Sequence, residues 1–232
     1  MTDIQISSPE TMVRAVHELG IVPFFASRIP GYSIREMTKT GCWFDDEDGV
    51  LGPWDWKIDC VHDGGIAYGK FLSGGKAAFA TLEWYKELMN VRRARLQPDA
   101  GGQLIMDYLA EHGSIGIKEV RGLLGVKKSA ADAAISRLQY QCRVVTGDII
   151  RLYRGPMLKY EGWQIASFCR PEDLFKGDAQ FAAFPGFPFA HGGDPLHTDH
   201  TPEESLEVLV GHISSILPAG AATREEIIKL LK

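Results

Sequence analysis

The sequence predicts an α+β protein, and three observations carry that prediction. Apolar residues recur at helical spacing in several separate stretches, Trp54-Asp55-Trp56-Lys57-Ile58 and part of AYGKFL alternate with a period of two, and glycine-rich turns punctuate the chain between them. Within residues 101–160, three helical stripes run into a hairpin pattern, the order of a winged helix-turn-helix. An N-terminal region of helices and antiparallel strands (1–98) precedes a winged-helix domain (101–170). A Pro/Gly-rich connection and C-terminal helices (171–232) follow it.

In chain order, Ser8-Pro9-Glu10 opens a helix: a hydroxyl cap, a proline where no N–H is needed, then an acid in the first turn. Met12, Val13, Val16 and Leu19 form its apolar face, and Gly20 ends it. Ser33-Ile-Arg-Glu36 is a capping box for a short helix ending at Gly41. From Trp43 onward the period changes, and the segment through AAFAT reads as two or three antiparallel strands, the first of them over Trp54–Ile58. LEWYKELMNVRRARL is helical, and Pro98-Asp-Ala-Gly-Gly102 is the linker.

Leu104, Ile105, Tyr108 and Leu109 then make one stripe closed by Gly113, and Ile117, Val120, Leu123 and Leu124 a second closed by Gly125. Ser129 caps a third helix whose inner face is Ala131, Ala134, Ile135, Leu138 and Cys142. Gly147-Asp148, between Val144-Val145 and Ile149-Ile150, has the composition of a two-residue hairpin turn. GWQIASF (162–168) adds a strand beside this wing. Residues 181–200 form a long connection whose phenylalanines pack onto the body. Thr201-Pro-Glu203 and Thr223-Arg-Glu-Glu226 start two final helices, which hint at an incomplete second helix-turn-helix.

The chain of 232 residues carries a net charge of -5, which argues against indiscriminate nucleic-acid binding. That charge is unevenly spread: residues 101–160 hold nine Lys+Arg against five Asp+Glu, and both flanking regions are acidic. No apolar run is long enough for a membrane span, and the N-terminus lacks the pattern of a secretory signal. The four cysteines, Cys42, Cys60, Cys142 and Cys169, are widely spaced, which reads as reduced thiols in a cytoplasmic protein.

If the third helix reads DNA, the side chains opposite its apolar stripe face the groove: Ser129, Ala133, Ser136, Tyr140 and, at the edge, Arg137. Arg143, Arg151 and Arg154 on the hairpin then hold the phosphate backbone. Asp132 and the alanines weigh against this, and winged helices also serve as plain protein-docking modules. Trp54 and Trp56, on one face of a strand, read as core or as a stacking platform for a base. Asp55 and Lys57 fall on the opposite, exposed face. His191, Asp194, His197, Asp199 and His200 lack a known ligand spacing, and no metal or other cofactor is expected.

The order of Leu19-Gly20-Ile21, Gly52-Pro53-Trp54-Asp55-Trp56-Lys57, AYGKF…AAFAT, Asn90-Val-Arg-Arg93 and a winged helix resembles the AlkZ-type winged-helix DNA glycosylases, and more closely the shorter AlkZ-related bacterial proteins. The resemblance spans residues 10–170 and implies a DNA partner and a role in DNA repair. The glycosylases place a Gln-x-Gln or Gln-x-Asp pair soon after the Leu-Gly, to position the attacking water. Here that stretch reads Val22-Pro23-Phe24-Phe25, which cannot orient water. Gln139-Tyr140-Gln141 has the letters but lies at the end of the third helix of the module. The expectation is therefore a DNA-binding protein without glycosylase chemistry, its catalytic residues unassigned. The rivals are a glycosylase with a relocated carboxylate, Asp55 or Asp59, and a scaffold for a protein partner.

Overall fold

The computed structural model describes residues 4–39, 41, 43, 51–175 and 194–232. Cys42, His191 and most of the Pro/Gly-rich connection lie outside them. The chain runs α1 (Pro9–Leu19), β1 (Ile21–Pro23), α2 (Ile34–Met37), α3 (Pro53–His62), β2 (Ile66–Leu72) and β3 (Lys76–Thr81) into α4 (Leu82–Arg93). Next come α5 (Ala100–His112), β4 (Ser114–Gly116), α6 (Ile117–Leu124), α7 (Lys128–Tyr140), β5 (Val145–Arg154) and β6 (Lys159–Cys169). The short α8 (Pro171–Leu174) and the helices α9 (Pro202–Ile216) and α10 (Arg224–Leu231) complete it. Two small antiparallel sheets have the strand orders β1-β3-β2 and β4-β6-β5. The chain is thus mixed α and β.

Local chemistry sets four helix starts as the sequence indicates, but α7 begins at Lys128 after Lys127, so Ser129 lies in its first turn and is not its cap, and α2 ends at Met37, short of Gly41. Ser8 caps α1 and Ser33 caps α2, while Thr201 and Thr223 cap α9 and α10 with capping boxes. Gly20 ends α1 at φ 69°, a value that disfavours a side chain, and a Cβ there would fall 2.2 Å from the Trp84 ring. The Trp84 ring stacks on His212 at 3.6 Å, and His212 Nε2 donates to the Leu19 carbonyl at 2.8 Å. The end of α1 is thereby locked to α4 and α9.

Two hydrophobic cores result. The larger joins α1, the first sheet, α3, α4, α9 and α10, with Tyr32, Phe71, Phe79 and Tyr85 fully buried. The smaller lies inside the α5–α7 unit, around Ile105, Leu109, Val120, Ile135, Leu138 and Phe168. The far side of α7 packs on β2, so the two cores meet across it. Arg92, buried at the end of α4, lies 3.7 Å over the Tyr140 ring and donates to the carbonyls of Phe71 and Leu231.

Three further expectations about the strands are corrected. Trp54–Ile58 is the first half of α3 and not a strand: Gly52-Pro53 is a helix start, with proline at N1. Helical spacing then separates the two tryptophans, leaving Trp56 buried and Trp54 at the surface. Gly147-Asp148 lies within β5 and is not the hairpin turn. Its glycine is required by a close approach, since a Cβ would fall 2.7 Å from Cys169 Sγ. The chain turns instead at residues 155–158, where Gly155 and Leu158 take positive φ. Segment 162–168 is therefore part of the hairpin's own return strand, β6, with Ile150 opposite Ile165.

Candidate nucleic-acid interface and the cavity behind it

A cavity of about 230 Å³ opens where the two cores meet. Its walls come from α3 (Trp54, Lys57), β2 (Lys70), α7 (Ser136, Gln139) and β6 (Gln164). The hairpin is tied to α3 at both ends of that helix. Trp54 Nε1 donates to the Gly162 carbonyl at 3.1 Å, and His62 Nε2 meets Asp148 Oδ1 at 2.7 Å.

Between these ties lies a buried polar cluster. Asp55 Oδ1 accepts from Arg151 Nε at 2.9 Å, from the Tyr160 hydroxyl at 2.6 Å and from Gln164 Nε2 at 3.1 Å. Gln164 Nε2 also approaches the Tyr160 oxygen at 2.9 Å, so the amide group of Gln164 is held on one side and its carbonyl oxygen is turned toward Lys57. Lys57 Nζ donates to that oxygen and to the Trp54 carbonyl, and lies 3.4 Å from the centre of the Trp54 ring. Lys57 is 3% exposed and Asp55 4%, which corrects the expectation of an exposed pair. Burial pushes the Lys57 ammonium down to about 7, with Asp55 pulling it up and the Arg151 charge pushing it further down. Burial likewise pushes the Tyr160 hydroxyl up to about 12, reinforced by its bond to Asp55.

The residues expected to touch DNA divide into two groups. Four have partners within the protein. Ser136 Oγ donates to the Asp132 carbonyl at 2.7 Å and accepts from Lys70 Nζ at 3.2 Å. The Tyr140 hydroxyl donates to the Lys232 carbonyl, and Arg143 reaches Gln97 Oε1 at 3.0 Å. Arg151 holds Asp55. The other three stay at the surface. Ser129 is exposed at the start of α7, Arg137 makes only a solvent-exposed pair with Asp99 at 3.2 Å, and Arg154 lies 5.2 Å over the Trp163 ring.

Sequence reasoning missed a second basic group. Lys118 and Arg121 on α6, with Lys127 and Lys128 at the entry to α7, are all exposed, and no ion pair among the described residues engages them. The dipeptide Lys127-Lys128 just before the third helix was the available signal. Lys57 and Gln164 were missed too, because reading 54–58 as a strand turned Lys57 outward.

Other candidates are placed plainly. Asp59 is exposed on α3. Val22 and Phe24, in the stretch after Leu19-Gly20 expected to orient no water, are fully buried. Gln139 is buried, accepting from Lys70 N at 3.2 Å and donating to Thr146 Oγ1 at 3.2 Å, as a joint between α7 and β2. His200 Nδ1 contacts Glu87 Oε2 at 3.1 Å, and His197 pairs with Asp199. Among the described residues no three potential ligands gather around a metal position. Cys60, Cys142 and Cys169 are unpaired, and burial raises all three thiols. No described helix is long and apolar enough to cross a membrane.

Such a layout, a small helical unit with a β-hairpin docked on a helix–sheet body and a polar cavity at the joint, defines the chain as a mixed α+β protein. The sequence pattern of the family described as AlkZ related matches residues 6–232, and the chain belongs to that family. No curated protein and no solved structure matches it.

Proposed function

We propose that this chain binds duplex DNA through a winged helix and does so without the base-excising chemistry of the glycosylases its family is named after. The order α5-β4-α6-α7-β5-β6, with β4 pairing on β6, is the winged-helix order and supports the frame. The basic corner of Lys118, Arg121, Lys127 and Lys128 carries the reading. Four cations that no ion pair among the described residues engages, on the one positive stretch of an acidic chain, are placed to replace counterions along a phosphate backbone. Ser129, Arg137 and Arg154 extend this surface. Ser136, Tyr140, Arg143 and Arg151 each have a partner within the protein and are weaker candidates for that surface. The absence of excision chemistry is supported by the burial of Val22 and Phe24 and by Asp55, whose bonded oxygen is directed at the hairpin.

Fluorescence anisotropy at two salt concentrations tests the reading. Binding is expected in the micromolar range, with a salt slope reflecting about three to five phosphates. No binding at low salt would sink it. A second reading, a protein-docking scaffold, draws on the exposed outer face of the hairpin, where Ile150, Trp163 and Ile165 lie together. Loss of DNA binding on replacing these three, with the basic corner intact, would count against the scaffold.

A further inference from the structure

The basic corner needs no cavity to hold phosphates, and the cavity's chemistry is unlike that of a phosphate site. Its distinctive group is an amine. Lys57 Nζ is withdrawn from water, has two hydrogens directed at carbonyl acceptors, and lies against the face of Trp54 at the cavity wall. Asp55 bonds Arg151, Tyr160 and Gln164, and Gln164 separates it from Lys57.

Burial and the Arg151 charge both favour the neutral amine near neutral pH, against the opposing pull of Asp55. A neutral amine anchors an anion poorly but is a nucleophile, and desolvation beside another cation is a recognised way of activating a lysine. Its natural target is an electrophilic carbonyl carbon. Intact DNA has no aldehyde, but a nucleotide that has lost its base has one, at C1′ of the ring-opened sugar. Such a nucleotide is also the easiest to turn out of the duplex, having no base pair to break.

We propose that Lys57 captures abasic sites: its Nζ forms an imine with the C1′ aldehyde of a base-less deoxyribose turned into the cavity. This rests on the DNA-binding reading above and adds a substrate class to it. The nitrogen lone pair forms the C–N bond while the carbonyl π pair moves to oxygen. A proton passes from nitrogen to that oxygen, and the carbinolamine then loses water. One aldehyde and one amine give one imine and one water, with no change of oxidation state. Gln164 positions the amine through its carbonyl oxygen, and Lys70 and Ser136 line the cavity where the flanking sugar and phosphate would pass. Hydrolysis of the imine returns both partners, so the capture is reversible.

The test uses the full chain, a duplex with one abasic site, and sodium borohydride, which reduces the imine to a stable secondary amine. A covalent protein–DNA adduct is expected. Peptide mapping should place it on Lys57, read as a missed tryptic cleavage there. Lys57→Arg should lower the yield at least tenfold, and Lys229→Ala, on α10 and outside the cavity wall, should retain it. Anisotropy with a duplex carrying a tetrahydrofuran site, which has no aldehyde, separates the two readings. Binding without trapping would overturn the lysine's role and leave DNA binding standing, and no binding of either duplex would overturn both. An adduct mapped to any other lysine would also overturn the proposal, and this readout does not depend on a variant folding.

Discussion

Replacing Asp55 by alanine should destabilise the protein by about 3 kcal/mol, and about half of that loss should vanish when Arg151 is absent. The carboxylate is 4% exposed and one of its oxygens receives three hydrogen bonds. Breaking a fully buried ion pair costs roughly 3–5 kcal/mol, because the surviving charge is stranded. The Arg151 side chain is 29% exposed, so water relieves part of that penalty. The Tyr160 hydroxyl and the Gln164 amide already lie 2.9 Å apart and can bond each other. These reliefs bring the figure to the lower end of the range. Arg151→Ala alone should cost about 2 kcal/mol, leaving the carboxylate its two uncharged donors. The double variant should fall short of the sum by about 1.5 kcal/mol, within the range found for residues in contact. Urea denaturation followed by circular dichroism measures all four corners of the cycle. Additivity within about 0.5 kcal/mol would refute the reasoning, since it would mean that Arg151 and Asp55 do not interact. The same variants separate stability from DNA contact: Arg151→Ala should leave the salt slope of DNA binding unchanged, where a phosphate-holding arginine would lower it by about one.

Replacing Lys127 and Lys128 together by alanine should weaken binding to all DNA sequences alike and flatten the salt slope by about two, read by anisotropy. Gly20→Ala should destabilise by about 2–3 kcal/mol in thermal melts, because φ is positive and the new Cβ meets Trp84. Glu87 is opposed by burial but held below its ordinary value by bonds from Ser205, His200 and Thr198. Its folded value is thus depressed, so its contribution is present above about pH 4.5 and is lost as pH falls through the lower folded value. Hydrogen exchange should show α9 loosening from α4 as the solution is acidified below that point, and Glu87→Gln should remove the acid-specific part of the loosening.

Helix termini were legible because capping is a matter of neighbouring residues. Ser8, Ser33, Thr201 and Thr223 each do locally what their positions imply. The hairpin turn was misread for an instructive reason. Glycine beside aspartate suits a tight turn, yet at position 147 the glycine answers to Cys169 on the paired strand, a contact between residues far apart in sequence. Trp54–Ile58 failed differently. Alternation over five residues is too short to distinguish a strand from the first turn of a helix, and Gly52-Pro53 was the stronger signal.

The cavity depends on those same distant pairings, which explains why its chemistry was the least legible part. The sequence separates Lys57 from Gln164 by more than a hundred residues, and neither belongs to a motif. They meet because α3 is docked on β6, through Trp54 at one end and His62 at the other. The supposed reading face of α7 shows the converse. Its polar residues have the composition of a groove-facing surface, but β2 packs against that helix, and Ser136 and Gln139 bond Lys70. What α7 leaves open is its first turn, where Lys127, Lys128 and Ser129 stand exposed beside Lys118 and Arg121. A duplex approaching that end would meet positive charge first and lie alongside the cavity wall that α7 shares with α3. The packing of β2 on α7 thus forms one side of the cavity that Lys57 and Gln164 line.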